Sequence, residues 1–541
     1  MGSLVIALLR PLLPALVRLF VLTCLAELPG LLWVLLADPH GTHPGVVGAL
    51  DGSALVALVT LYVRHRSGWF RKSLLPPSGA TSQGSARWGD GSAMRAPQGL
   101  ILGRVGGDML RLDGEGHILT VAPTGSGKGV SAVIPNLLSY PGSILVTDPK
   151  GENFAVTARR RRALGSRVLA LDPFGVVGGD ATFNPLAALD AEAPDAVDDA
   201  MRLADALVIE TGRESADAAF WNEEAKGMLT GLILHAVASE PPEQRTLATV
   251  WAYLSRPPRE LLALWTAMGK SPAAHGAVAR AAFRFRQKAD RVRAGILAQA
   301  QSHTHFLESP RLGAVMQRSS FRFEDLKTDR VTLYLIVPPH RLDVCRRWLR
   351  LLVTCAVHAL ERSPGLPADR VLLLLDEFPA LGRMVPIERA VTLLRGYGVT
   401  FWLVAQDFAQ LRTIYPDTWR SLHAAADVLQ AFGANDFETA DYLSRLAGET
   451  TVPVATGHRS RGRSRQPGAL VGSLQTSTAR GATERARRLI TADEVRCLPR
   501  DRALVFVRGA DPLCVNRVSY LTDSVFRGHF DANPLHGRVA V

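Results

Sequence analysis

At 541 residues the chain exceeds one ordinary domain and is expected to hold about two to four, with ample material for a large core. An apolar fraction of 47% with 21% charged residues excludes a disordered or fibrous chain, yet a mean hydropathy of +0.10 is high for a fully soluble protein. The net charge of +12 favours anionic partners, nucleic acid or a membrane surface, without choosing between them.

The apolar excess begins at the N-terminus. Leu19 to Leu36, "LFVLTCLAELPGLLWVLL", holds one acid, Glu27, and is of bilayer length at about 1.5 Å per residue. A second span runs from about Gly45 to Val63. Arg10 and Arg18 precede the pair, Arg64, Arg66, Arg71 and Lys72 follow it, and the positive-inside rule puts both ends on the cytoplasmic side. Residues 1–72 therefore read as a transmembrane hairpin with spans at 19–37 and 45–63. A cleaved signal peptide and a buried core helix are the alternatives; the second apolar run and the lack of an A-x-A site favour the hairpin. Glu27 and Asp51 are expensive in lipid and are expected to face the partner helix or another subunit.

Residues 73–92, rich in Pro, Gly and Ser, read as a linker. The strand "HILTVA" then meets the loop "APTGSGKG", the helix "VSAVIPNLLSY" follows, and the strands "SILVTD" and "RVLALD" end on Asp148 and Asp172. That order opens a parallel α/β sheet, in which ligands sit at the carboxyl ends of the strands. From Pro185 to Gln317 strands give way to helical periodicity, as in "WNEEAKGMLTGLILHAVA". Strands resume with "RVTLYLIVP", "RVLLLLDEF", "VTFWLVAQD" and "DVLQAFG". The expected plan is a nucleotide-binding domain in two parts, 93–185 and 318–541, around an all-α insertion at 186–317. Segment 456–488, with Arg459, Arg461, Arg463, Arg465, Arg480, Arg485, Arg487 and Arg488 among Ser and Gly, reads as a basic mobile loop. The cysteines Cys24, Cys345, Cys355, Cys497 and Cys514 lack metal or redox spacing, so the bulk of the chain reads as reduced and cytoplasmic.

"APTGSGKG" nearly spells the phosphate-binding loop, with Ala122 in place of its first glycine and Gly129 in place of the magnesium-binding hydroxyl residue. Backbone N–H groups over Pro123, Thr124, Gly125, Ser126, Gly127, Lys128, Gly129 and Val130 are expected to cradle phosphates, with Lys128 adding a point charge. A plain strand-to-helix turn is the alternative for this motif alone. Downstream, Asp376 and Glu377 close an apolar strand expected to neighbour that of the loop. Asp376 suits hydrated magnesium, and Glu377 suits orienting and deprotonating a water; a solvated acidic turn is the alternative. Gln406 ends another apolar strand, as a sensor of the γ-phosphate or as a cap. Arg395, at a helix end, suits a finger reaching across a subunit boundary or a surface ion pair, with Arg383, Arg389 and Arg420 competing. Ser131 lies roughly 200° around the helix from Gly129. A water held by Asp376 and Asp148 is therefore expected to fill the missing magnesium-ligand position.

"GSARW", "APTGSGKGVS", "TDPKGE", "DPF" followed by "FNPL", "FWNEEAKGMLTGLILH", "LLLLDEF" and "VAQD" together resemble the TraG-type coupling-protein ATPases of type IV secretion and conjugation. The resemblance implies a RecA-like P-loop NTPase, ATP and Mg²⁺ as cofactors, a homo-hexamer and a multi-pass anchor in the bacterial inner membrane. It implies single-stranded DNA with bound relaxase and the secretion channel as partners. A receptor for protein effectors and a nucleotide-binding scaffold without turnover are the competing functions.

Overall fold

The computed structural model describes residues 81–209, 215–464 and 473–535, with side chains left aside over 455–464 and 473–482. The expected hairpin spans, 19–37 and 45–63, lie outside the described residues. Among the described residues no helix is long and apolar enough to cross a membrane.

The strands in chain order are β1 (Leu100–Val105), β2 (Asp108–Leu112), β3 (Ile118–Val121), β4 (Ile144–Asp148), β5 (Arg167–Leu171), β6 (Val331–Ile336), β7 (Val371–Leu375), β8 (Val399–Ala405), β9 (Val428–Ala431), β10 (Glu449–Ser464), β11 (Ser473–Arg488), β12 (Arg502–Val507) and β13 (Leu513–Asn516). Eleven of them form one sheet in the order β2-β1-β13-β12-β9-β3-β8-β7-β4-β6-β5. From β9 to β5 every pairing is parallel. These strands are short unbroken apolar runs, and every residue of "VLLLL" in β7 and "VTFWLVA" in β8 is buried. Such runs suit a strand covered on both faces, whereas alternation would leave one face wet.

Beyond β9 the sheet turns antiparallel through β12, β13, β1 and β2. This extension was not anticipated from the sequence. Its β1–β2 hairpin precedes the phosphate loop, while β12 and β13 come from the far end of the chain. It joins the parallel part through Leu504, Val505, Phe506 and Val507 of β12, paired with Ala431, Gln430, Leu429 and Val428 of β9.

Between β5 and β6 the described residues hold helices and no strand. Helix Ala216–Ser239 is the axis of this region, with Leu229, Leu232, Ile233, Leu234 and Ala236 almost wholly buried. Small residues let its neighbours approach: a Cβ on Gly231 would stand 2.5 Å from that of Ala281, and one on Gly295 would stand 2.6 Å from the Trp221 ring. Helix Leu342–Arg362 buries Trp348, Leu349, Leu351, Leu352 and Val353 in the core shared by this region and the sheet. A smaller core brings Val518, Tyr520 and Phe526 against Ile134, Leu138 and Val156, tying the C-terminal segment to the helix after the phosphate loop.

A separate unit holds the segment ending at Ser85 together with residues 449–487. Where a loop was expected over 456–488, the described residues on either side of 465–472 belong to the paired strands β10 and β11. The β-branched run at Thr450, Thr451 and Val452 and the threonines of β11 favour strand over coil. Within this unit the Gln83 N–H donates to Thr451 Oγ1 at 3.0 Å, and that hydroxyl donates to Gly84 O at 3.0 Å.

His117 shows how tightly the sheet is closed. Its Nδ1 accepts from the Phe401 N–H at 3.1 Å, and burial beside Arg395 pushes its pKa down to about 4. The unfolded chain binds this proton below about pH 6.5 while the folded chain refuses it to about pH 4, so this part of the stability is full above 6.5 and lost on acidification across that window. Thermal melts between pH 7 and pH 4 should fall less steeply for His117→Asn, which keeps an acceptor for Phe401 and cannot take up the proton. Equal slopes would refute the assignment.

Candidate active site

The pairing order brings the motifs together at one end of the sheet. β3, β8, β7 and β4 are consecutive neighbours, with Val121 level with Ala405, Leu375 with Leu403, and Leu374 with Val146. The chain therefore leaves these strands at the phosphate loop, Gln406, Asp376 and Asp148 side by side. The acidic strand does not neighbour β3 as expected, because the glutamine strand β8 lies between them. That interposition puts Gln406 between the lysine loop and the acids.

The loop itself runs through left-handed conformations at Gly125 (φ 75°) and Gly127 (φ 85°), which only glycine enters without penalty. Lys128 then takes φ −52°, giving the left-handed to right-handed step whose successive N–H groups form an anion-binding concavity. The next turn, Gly129–Val133, is π-helical, with the Ile134 N–H donating to Gly129 O, an irregularity frequent at functional sites.

Lys128 Nζ lies 2.7 Å from Asp376 Oδ1 and 2.6 Å from Glu377 Oε1. Burial alone would lower the lysine pKa, but the two carboxylates outweigh it and raise it. Asp376 is raised instead, because desolvation of its carboxyl exceeds the help it receives from Lys128. The ammonium is therefore firmly charged and is the counter-ion that lets two adjacent acids occupy a site poor in water.

Glu377 is held in a backbone state that few side chains enter, φ 55° and ψ 40°. Three contacts keep it there: its N–H donates to Asp376 Oδ1 at 3.0 Å, Lys128 holds Oε1, and Gln406 Nε2 donates to Oε2 at 3.0 Å. Strain of this kind persists where surrounding contacts over-determine it, and it gathers at active sites. Thr147 Oγ1 adds a bond to Asp376 O at 2.9 Å that sequence reading did not single out.

Asp148 is buried, and its Oδ2 accepts from the Phe154 N–H at 2.8 Å, bracing the first turn of helix Glu152–Ala163. Burial pushes its pKa up to about 7, with Asp376 adding to the rise. Asp148, Asp376 and Glu377 line a small common cavity of ≈ 10 Å³. Among the described residues no group of three or more His, Cys, Asp or Glu forms a ready-made metal cage.

Arg395 is not brought to the loop within the chain. It precedes β8 at the opposite end of that strand, bonded to Asp427 and, at 3.4 Å, to Ala425 O. Among its competitors, Arg383 pairs with Glu388 at 3.0 Å, Arg420 lies over the Trp419 ring, and Arg389 is exposed. Arg517, which reading the sequence passed over, does reach the loop: it donates to Ser126 O from just beyond β13. No local motif announces it, since its place depends on the antiparallel extension.

A parallel sheet with this loop, an acidic strand end and a helical insertion defines a RecA-like P-loop NTPase. The family described as "Type IV secretory system Conjugative DNA transfer" matches residues 90–535, and the chain belongs to it. It is 31% identical over 449 residues to the conjugal transfer protein TraG of Escherichia coli, covering 77% of this chain and 69% of that one. Protein VirD4 of Agrobacterium fabrum is 29% identical over 427 residues, covering 77% of this chain and 60% of that protein. In fold, the bacterial conjugative coupling protein TrwB superposes with a TM-score of 0.60 at 17% identity, covering 80% of this chain and 93% of the other. A TrwB structure in complex with ADP and Mg²⁺ gives 0.59, also at 17% identity, over 80% of this chain and 94% of that one.

Removing the lysine leaves Asp376 and Glu377 facing each other without a counter-ion. Lys128→Met should lower the nucleotide-free stability by about 2–4 kcal/mol, as loss of one partner from a largely buried ion pair does. Calorimetry without nucleotide tests this, and an unchanged melting temperature would mean that the ion pair does not hold the free site.

Proposed function

We propose that this chain is an ATP-driven coupling protein that recruits relaxase-bound single-stranded DNA and delivers it to a type IV secretion channel. The observation that carries the reading is the cluster of Lys128, Asp376, Glu377 and Gln406 at the ends of adjacent strands in a chain of the conjugative DNA transfer family. A scaffold without turnover has no use for a glutamate strained into place and bonded on both oxygens.

Without nucleotide, Lys128 is occupied by the two carboxylates. Arrival of the β and γ phosphates in the glycine nest offers the ammonium a denser negative charge, and its transfer releases Glu377 Oε1. Gln406 keeps hold of Oε2, so the freed oxygen stays aimed as it accepts a proton from water. That water oxygen bonds to the γ-phosphorus as the bond to the β–γ bridging oxygen breaks, and ADP leaves with the electron pair. Oxygen donors at Asp376 and at Asp148, the second through a water, suit magnesium, which keeps several waters and neutralises phosphate charge when bound. With Gly129 after the lysine, no protein hydroxyl is required.

Arg395 is our candidate for the finger supplied to a neighbouring subunit in a homo-hexamer, a role that first requires its release from Asp427. The basic strands β10 and β11 supply charge for a grip on phosphate that ignores base sequence and weakens steeply with salt. The apolar spans at 19–37 and 45–63 would anchor the assembly in the bacterial inner membrane. The reading of the protein as a receptor for effectors keeps the same motor and changes only the cargo.

The test is ATP turnover by the full chain with and without single-stranded DNA, beside a mating assay. Glu377→Gln should still bind ATP while turnover falls by about 10²–10⁴-fold, the usual cost of losing a general base. Lys128→Ala should abolish transfer. No turnover in the wild type would eliminate the motor, and turnover indifferent to DNA would favour protein cargo.

A further inference from the structure

Arg517 follows the last strand of the sheet, and its guanidinium is spread over three main-chain carbonyls. Nε donates to Arg502 O at 2.6 Å, Nη2 to Phe432 O at 3.0 Å, and Nη1 to Ser126 O in the phosphate loop. The fork lies over the Phe432 ring at 4.2 Å from its centroid. No ion pair holds it among the described residues, and burial pushes its pKa down to about 10, which leaves it charged at neutral pH. The cation is thus devoted to backbone oxygens.

The consequence follows from peptide geometry. In a trans peptide the carbonyl oxygen and the next N–H lie in one plane and point in opposite directions. Ser126 O is held by Arg517, so the Gly127 N–H is turned away from Arg517. Gly127 and Lys128 form the left-handed to right-handed step of the anion nest, so this plane decides whether the nest has its first donor. A peptide flanked by glycine turns over easily when nothing holds it. Elsewhere the loop is tied by the Ser126 N–H to Pro123 O and the Ser131 N–H to Gly127 O, both at 3.0 Å, and neither holds the Ser126 oxygen.

We propose that Arg517 is a positioning residue for ATP: by holding the Ser126 carbonyl it fixes the Ser126–Gly127 plane and presents the Gly127 N–H to the phosphates. The role rests on reading "APTGSGKG" as a triphosphate site. It also gives the C-terminal extension of the sheet a direct part in nucleotide affinity. The bond acts on binding more than on chemistry, because Glu377 and Gln406 make no contact with it.

Steady-state ATP hydrolysis by the full chain, with melting temperature as a check on folding, tests the proposal. A charge-assisted hydrogen bond is worth about one to two decades in an equilibrium constant. Arg517→Ala is therefore expected to raise KM for ATP about tenfold or more and to change kcat less than about threefold. Arg517→Lys separates bracing from charge, since an ammonium on a flexible stem cannot span three carbonyls in one plane. Its KM should stay close to that of the alanine variant. Recovery of the wild-type KM by lysine would assign Arg517 a simple charge effect on phosphate and overturn the bracing role. So would a KM in folded Arg517→Ala within twofold of wild type. If the alanine variant fails to fold, the lysine variant decides: a tenfold higher KM supports the proposal and an unchanged one overturns it. A wild-type chain that neither binds nor hydrolyses ATP would defeat the underlying nucleotide reading instead.

Discussion

The ammonium of Lys128 between Asp376 and Glu377 is the interaction on which the site depends. It is a tie across the sheet, because the lysine follows β3, the acids follow β7, and β8 runs between them. Two acids at consecutive positions in a site poor in water repel one another, and the lysine ammonium, its pKa raised by the two carboxylates, offsets that repulsion. On the proposed function, phosphate binding takes the lysine away from them. On that reading the nucleotide substitutes for the protein carboxylates, so its binding and the release of Glu377 Oε1 are one event.

What keeps that exchange productive is the backbone at Glu377. A non-glycine residue in the left-handed region costs of order 1–3 kcal/mol and persists only where its surroundings over-determine it. Gln406 and Lys128 hold different oxygens of Glu377, so on the proposed function the side chain remains aimed by Gln406 when its counter-ion departs. On the same reading, Gln406 is the element that preserves the aim of Glu377. Its place on β8, between loop and acids, gives it that role.

The sequence reading went furthest where one strand carried its own signal. "VLLLLDEF", "VTFWLVAQD" and "HILTVAPTGSGKG" each announce a buried parallel strand and the polar group that leaves it, because apolar runs and terminal acids are local features. Strand order is not local. Nothing in "RVLLLLDEF" says that β8 rather than β3 lies beside it, so two strands taken for neighbours proved to be next-nearest. The antiparallel extension escaped notice for a related reason: "RALVFV" and "LCVN" are short, and only pairing with β9 and β1 gives them meaning. Over Arg459 to Arg488, charge and glycine content favour coil, while Thr476, Thr478 and Thr483 favour strand.

The extension also explains why residues nearly 400 positions apart in sequence meet at the phosphate loop. A parallel sheet alone leaves its loop at the strand ends with support from one side only. Here β12 and β13 carry the chain back across the sheet edge beside β9, and the segment after them packs Val518, Tyr520 and Phe526 on the helix that the loop begins. The Tyr520 N–H bonds to Val130 O at 3.3 Å, and Arg159 pairs with Asp531 at 2.7 Å, so this return is bonded to both helices that flank β4. A loop built from glycines carries little conformational preference of its own, and its shape must come from what surrounds it. In this protein that shape is imposed from two directions, by Lys128 and the acids on one side and by the returning C-terminal chain on the other. Any force that shifts β12 and β13 therefore reaches the phosphate loop through the Arg517 side chain and the main-chain carbonyls it holds rather than through Lys128, Asp376 or Glu377.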